Sequence, residues 1–478
     1  MKTILEIINE KQKKNYMPTL PITISSLNKA QLSTIKEIEK NNLVVVTGCA
    51  GSGKTSTIVN VASHFLAKNK KVLIVSKNDK AVDVIADRLN SLNAPYLALR
   101  SGNKNSKNEL SEKLKTLLDN KVRLTLNSTN LLTYLLKGMK HDDAKKLLAN
   151  KRVIALKSLL ADTDKRKRLI IHSKALKTTK RSAREKLLKE DFTPILEAFP
   201  CWCCTTMQIS ESLPLIQGMF DLLIVDEASQ CDIASSVPCF FRAKKALVVG
   251  DEKQLKHISW LEKAKEQSFL TKHEVSEDLQ LIWRYRTNSL FDFASYYAEK
   301  SILLDIQYRS PKNLVEFANK EFYNGAIDSF KPNVDGALKK YLVDGEINEK
   351  GVNQAEIERI LFLVKNNINK GKTIGILSPF RAQVTAIEKA IIDNYSYEEI
   401  KANKITVGTA HSFQGDEKDI MIISWVIADN SPYQSQTFVN NDNLFNVAIT
   451  RGKEQVINLY STKNLKDTLL KKYLDSII

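Results

Sequence analysis

Short apolar runs recur along the chain, each closed by glycine or a polar residue. Residues 43–47, 72–76, 222–226 and 246–250 form a first set, and residues 201–206 read as one more buried strand. Residues 373–378, 405–409, 419–424 and 455–460 form a second set. Helical patterns separate these runs, as they do where parallel strands are joined by crossover helices. The pattern predicts two α/β units. A stretch of another kind lies inside the first. Leu110, Leu114, Leu117 and Leu118 recur at helical spacing, as do Leu131, Leu132, Leu135 and Leu136, and then Ile154, Leu156, Leu159 and Leu160. This stretch has almost no glycine and reads as a helical insert.

Charge marks off the same insert. The chain has 478 residues, enough for two to four domains at about 150 residues each. Its 43% hydrophobic and 26% charged residues are ordinary for a globular protein, but its net charge is +18. Residues 100–200 carry 25 Lys or Arg against 11 Asp or Glu, a net +14. They include the run Lys165, Arg166, Lys167 and Arg168. Lys-rich helices are often plain solvated surfaces, but a net +14 on one segment goes beyond that and points equally to a polyanionic partner such as nucleic acid. The longest apolar run, residues 420–428, is too short to span a membrane, and the first residues lack a signal peptide's apolar core. An intracellular, most simply cytoplasmic, location without membrane attachment is expected. Cys201, Cys203 and Cys204 lack the paired spacing of a metal site, so they are expected to be buried strand residues.

The chemistry enters at Gly48, where G-x-x-x-x-G-K-T runs to Thr55 after an apolar run and before a helical pattern beginning at Ser56. Gly48, Gly51, Ser52 and Gly53 let backbone amides curl around phosphates, the helix N-terminus adds its dipole, and Ser56 is expected among the nucleotide-binding residues with them. Lys54 reaches the β- and γ-phosphates of ATP, and Thr55 holds Mg²⁺. Asp226 and Glu227 end another apolar run. Asp226 completes the Mg²⁺ shell, and Glu227 polarises the attacking water. Gln254 follows the run that ends at Gly250 and is suited to sense the γ-phosphate. An arginine contributed by the second unit would tie hydrolysis to domain closure.

The order and spacing of these segments resemble superfamily 1 helicases, above all the branch of the nonsense-mediated-decay helicase, which steps 5′ to 3′ on single strands. The likeness runs over most of residues 27–460, apart from the insert's interior. It implies that Gln31 contacts the adenine base. In Asp305-Ile306-Gln307-Tyr308-Arg309-Ser310 it implies that Arg309 meets the γ-phosphate and that Tyr308 lies near the base. Gly415 and Glu417, in Gln-Gly-x-Glu, match the family's ribose contact, and Arg451 matches its final arginine. Ser76, Lys77 and Asn78, then Thr205 and Thr206, then Pro379 and Arg381, and finally Thr409 and His411 fall in segments that grip the strand. His411 stands where the family usually has an acidic residue. Cys49 and Ala50 replace two prolines common in this branch's phosphate loop.

The resemblance implies two tandem RecA-like domains holding ATP and Mg²⁺ between them. Residues 1–26 would be an N-terminal extension. Residues 27–100 and 196–298 would make the first domain, 101–195 the basic insert, and 299–478 the second domain. The insert would clamp single-stranded DNA or RNA. A rival reading is an ATP-switched nucleic-acid clamp without unwinding activity. It accounts less well for a hydrolytic set in which both Glu227 and Arg451 are present.

Overall fold

The computed structural model describes residues 20–102, 106–119, 125–126, 140–176, 191–368, 370–465 and 468–477. The described residues form two compact units. One contains those up to Gly48 together with Gly53–Glu252 and Lys256–Leu303; the other contains Cys49–Ser52, Lys253–Leu255 and Leu304–Ile478.

The first unit is built on a seven-stranded sheet. Its strands are β1 (Leu43–Gly48), β2 (Val72–Ser76), β3 (Ala98–Arg100), β4 (Cys201–Thr205), β5 (Leu222–Val225), β6 (Ala246–Gly250) and β7 (Lys300–Leu304), in the order β3-β4-β2-β5-β6-β1-β7. Neighbours from β3 to β1 pair in parallel. Strands β2, β4, β5 and β6 are buried along their whole length. That is why they read as continuous apolar runs rather than alternating ones. Helices α1 (Lys29–Lys40), α2 (Lys54–Ala67) and α3 (Asp79–Asn90) follow in sequence. A capping box starts α1: Asn28 Oδ1 accepts from the Gln31 N–H, and Gln31 Oε1 accepts from the Asn28 N–H.

The insert forms helices α4 (Ser106–Leu118), α5 (His141–Ala161), α6 (Thr163–Leu176) and α7 (Thr193–Ala198). Leu110, Leu114, Leu117, Leu156, Leu159 and Leu169 share one apolar core with Leu73, Leu99 and Trp202 of the sheet. The described insert is therefore fused to the first unit. Ile154 departs from the expected stripe: it is 56% exposed, while Leu156 and Leu159 are buried. The repeat at Leu131, Leu132, Leu135 and Leu136 lies outside the described residues, as do the first 19 positions.

Two basic side chains pin α5. Lys151 Nζ donates to the Ala67 carbonyl at 2.6 Å, at the C-terminal end of α2. With 14 residues in α2, that end lies about 20 Å from the phosphate loop. Arg152 is buried and donates to the carbonyls of Pro95, Glu197 and Ala198. Those residues lead into β3 and β4, so this part of the insert anchors at the N-terminal edge of the sheet.

The second unit carries a five-stranded sheet in the order β10-β14-β13-β11-β12, all pairs parallel. Its strands are β10 (Leu338–Leu342), β11 (Ile374–Leu377), β12 (Thr406–Gly408), β13 (Lys418–Ala428) and β14 (Gly452–Ser461). A separate parallel pair joins β8 (Ile306–Pro311) to β9 (Asp328–Lys331). At one end of the larger sheet sits a buried polar knot. Glu356 accepts from Ser424 Oγ at 2.6 Å, the Val426 N–H at 3.2 Å and Ser461 Oγ at 3.1 Å. Gln383 donates to Ser424 Oγ and to the Asn353 carbonyl. Among the described residues no helix is long and apolar enough to cross a membrane.

Candidate nucleotide site and nucleic-acid interface

The phosphate loop follows β1 and opens directly into α2. Gly51 and Gly53 have φ of +83° and +82°. A side chain is strained there, and space is denied as well. A Cβ on Gly53 would lie 2.5 Å from Gln31 Nε2, and one on Gly51 would lie 2.5 Å from Arg309 Cβ. Lys54 Nζ donates to the Gly48 carbonyl at 2.8 Å. The loop's backbone amides, the helix N-terminus and this ammonium together suit a chain of phosphates.

Asp226 and Glu227 leave the end of β5. Burial, and then the charge of Glu227, push the Asp226 carboxyl above its ordinary range; Lys54 and the Glu227 N–H pull it back. Two adjacent carboxylates beside a phosphate loop suit a hard divalent cation, whose charge would favour the ionised form. Among the described residues no cluster of three His, Cys, Asp or Glu could hold a metal by itself. Mg²⁺ on Thr55 and Asp226 would thus depend on nucleotide oxygens. Glu227 has φ +51°, a left-handed conformation in a residue other than glycine, and its N–H donates to Asp226 Oδ1 at 2.9 Å. Backbone strain of this kind collects at functional sites.

The second unit brings together several of the residues expected at the nucleotide. Arg309 Nη2 pairs with Glu417 Oε2 at 2.5 Å, and Arg309 Nη1 donates to the Thr450 carbonyl at 3.4 Å. Arg451 is buried; its Nε donates to the Val447 carbonyl and its Nη2 to Gln254 Oε1, both at 3.0 Å. The Tyr308 N–H donates to the Gly51 carbonyl at 2.9 Å. The sequence gives no sign that Arg309 and Glu417 form a pair, because more than a hundred positions separate them. Gly415 has φ +77° with open space where a Cβ would stand, so the turn itself calls for glycine.

The residues expected to grip a strand divide by burial. Lys77, Asn78, Arg381 and His411 are exposed. Ser76, Thr205, Thr206 and Pro379 are buried, and Thr409 is half-buried. Asn78 also caps α3 by accepting from the Lys80 N–H. Thr206 continues the ladder by donating its N–H to the Ser76 carbonyl. Partial desolvation lowers the His411 pKa. In the insert, Lys165 pairs with Glu197 at 2.8 Å and Arg168 with Asp191 at 2.6 Å, while Lys167 lies 3.9 Å from Asp164 with both side chains largely exposed. The six cysteines are buried free thiols, and burial raises the pKa of the Cys201, Cys204, Cys231 and Cys239 thiols.

Two family models, each described as an AAA domain, match residues 26–258 and 337–463. The DNA polymerase alpha-associated DNA helicase A of Saccharomyces cerevisiae is 25% identical over 493 residues, covering 90% of this chain and 64% of that protein. The Regulator of nonsense transcripts 1 homolog of Neurospora crassa is 24% identical over 480 residues, covering 95% and 38%. The Arabidopsis thaliana protein of the same name is 23% identical over 473 residues, covering 94% and 33%. The chain belongs to the superfamily 1 helicases, related to the nonsense-mediated-decay branch. It spans between a third and just under two thirds of the length of these three relatives.

Proposed function

We propose that this chain hydrolyses ATP to translocate 5′ to 3′ along single-stranded nucleic acid, and that it separates duplexes as it moves. The observation that carries the reading is the phosphate loop of Gly48–Thr55 beside the paired carboxylates of Asp226 and Glu227. ATP supplies the phosphoanhydride to be cleaved, and Lys54 holds its terminal phosphates. Thr55 and Asp226 would hold Mg²⁺, which would supply charge neutralisation at the phosphates. Glu227 orients water and takes its proton, while Gln254 senses the terminal phosphate. Arg309 and Arg451 offset the negative charge that develops there. In this reading Arg309 must exchange its Glu417 partner for phosphate, which frees Glu417 for the ribose. Gln31 has its carbonyl engaged in the helix cap, so its amide nitrogen is the group turned toward the base.

The strand is held by Lys77, Asn78, Arg381 and His411, whose exposure suits them to it. The 5′-to-3′ sense rests on the branch to which the chain is related. The test is strand displacement on DNA and RNA duplexes carrying a single-stranded 5′ or 3′ tail. ATP-dependent displacement from 5′-tailed substrates is expected. Displacement only from 3′ tails would reverse the proposed polarity. ATP hydrolysis with no displacement from any substrate would leave translocation without unwinding.

A further inference from the structure

The backbone ahead of α1 is laid along α2, the helix into which the phosphate loop opens. The Ile22 N–H donates to His64 Nδ1 at 2.9 Å. One turn nearer the loop, Asn60 Oδ1 accepts from the Ile24 N–H at 2.9 Å, and Asn60 Nδ2 donates to Ser25 Oγ at 2.8 Å. The chain then reaches the loop itself, where a Cβ on Gly53 would lie 2.5 Å from Gln31 Nε2. From there α1 runs back, and its Glu39 Oε1 lies 2.8 Å from His64 Nε2. His64 and Asn60 are both buried. One imidazole therefore holds both ends of the stretch, residues 22–39, that carries Gln31.

These two bonds fix the state of the ring. Nδ1 accepts an amide proton and so carries none; Nε2 carries the ring's single proton and donates it to a carboxylate. In this arrangement the imidazole is neutral. Glu39 on α1 and Lys68 just past α2 are the charged groups that face it, and they pair with each other. A second proton can enter only at Nδ1, where it would confront the Ile22 N–H and break that bond. Burial lowers the His64 pKa; the hydrogen bond to Glu39 pulls it up, and Lys68 adds to the lowering.

We infer that His64 is a positioning residue of the nucleotide site: in its neutral form it clasps both ends of residues 22–39 and so sets Gln31 against the phosphate loop. This rests on the ATP site proposed above, in which Gln31 meets the base. His64 stands about three helical turns from Gly53, roughly 16 Å, too far to touch a phosphate. Its effect therefore falls on the base and not on the phosphates, which the loop holds without it. As pH falls and Nδ1 takes a proton, the Ile22 end is released and the base-dependent part of ATP binding is lost.

The test is equilibrium binding of ATP and of inorganic tripolyphosphate, from about pH 7.5 down to about pH 5, to the full chain and to His64→Asn and His64→Gln. Asn keeps an acceptor where Nδ1 stands and takes up no proton. Gln keeps a donor toward Glu39 and leaves the Ile22 N–H without its acceptor. Thermal melting checks that each variant folds. At the upper pH, His64→Gln should weaken ATP by about tenfold with tripolyphosphate unchanged, and His64→Asn should bind ATP as the wild type does. The ratio of wild-type to His64→Asn affinity cancels the ligand's own titration. That ratio should fall with pH for ATP and stay level for tripolyphosphate. A level ratio for ATP, or equal losses of ATP and tripolyphosphate in His64→Gln, would overturn the inference and leave the ATPase reading intact. A wild-type chain that binds neither ligand would defeat both.

Discussion

Lys54 and Glu227 stand at the two ends of the proposed chemistry, and their substitutions should separate. Lys54→Ala removes the ammonium that now donates to the Gly48 carbonyl and should abolish turnover along with tight ATP binding. Glu227→Gln should lower turnover by at least about 10²-fold while ATP still binds, because only proton transfer is lost. Steady-state hydrolysis beside nucleotide titration checks both, and a Glu227→Gln chain hydrolysing at the wild-type rate would remove Glu227 from the role. Glu356 makes a prediction about stability. Its burial raises the carboxyl pKa from 4.5 to about 7, against the pull of the donors from Ser424, Val426 and Ser461. The folded pKa lies above the unfolded one. Its contribution is therefore fully present below pH 4.5 and is lost as pH rises through about 7. Relative to Glu356→Gln, the wild-type chain should lose up to about 1.4 kcal/mol per pH unit across that window. Denaturant unfolding at several pH values measures it, and parallel pH profiles for the two chains would refute the assignment.

At the scale of elements, the insert's cations have two different jobs. Arg152 holds three backbone carbonyls in the interior, and burial lowers its pKa to about 10. Arg152→Ala should destabilise the fold by about 2–4 kcal/mol, since several buried acceptors lose their donor together. A shift of under about 0.5 kcal/mol in urea unfolding would mean that α5 is not pinned there. Within the run 165–168, Lys165 and Arg168 already serve Glu197 and Asp191. Neutralising Arg166 and Lys167 should therefore flatten the salt dependence of nucleic-acid binding more than neutralising Lys165 and Arg168, by about one slope unit per lost phosphate contact. Equal slopes for the two pairs would return the run to a plain solvated surface. These pairings were illegible in sequence because each partner lies 23 or 32 positions away. The parallel strands were legible for the opposite reason, since burial on both faces writes an unbroken apolar run. Strands β8, β9 and β10 mix Gln, Arg, Asp, Ser and Lys among their apolar residues and are only partly buried, so no such run announces them.

Over the whole molecule, the net charge of +18 has a more specific meaning than composition allows. The segment that carries most of it is not an appendage. Where described, it shares the first unit's core, and part of its charge is spent on internal partners. The phosphate loop and the Asp226–Glu227 pair were readable because their chemistry demands fixed residue types at fixed spacing. The residues expected to grip a strand divide by burial in a way that motif order does not report. ATP hydrolysis measured with and without saturating single-stranded DNA and RNA tests the central claim most directly. A rate that rises severalfold with at least one of the two, and is abolished in Lys54→Ala, is the predicted result. A rate that neither polymer changes would contradict a nucleic-acid motor.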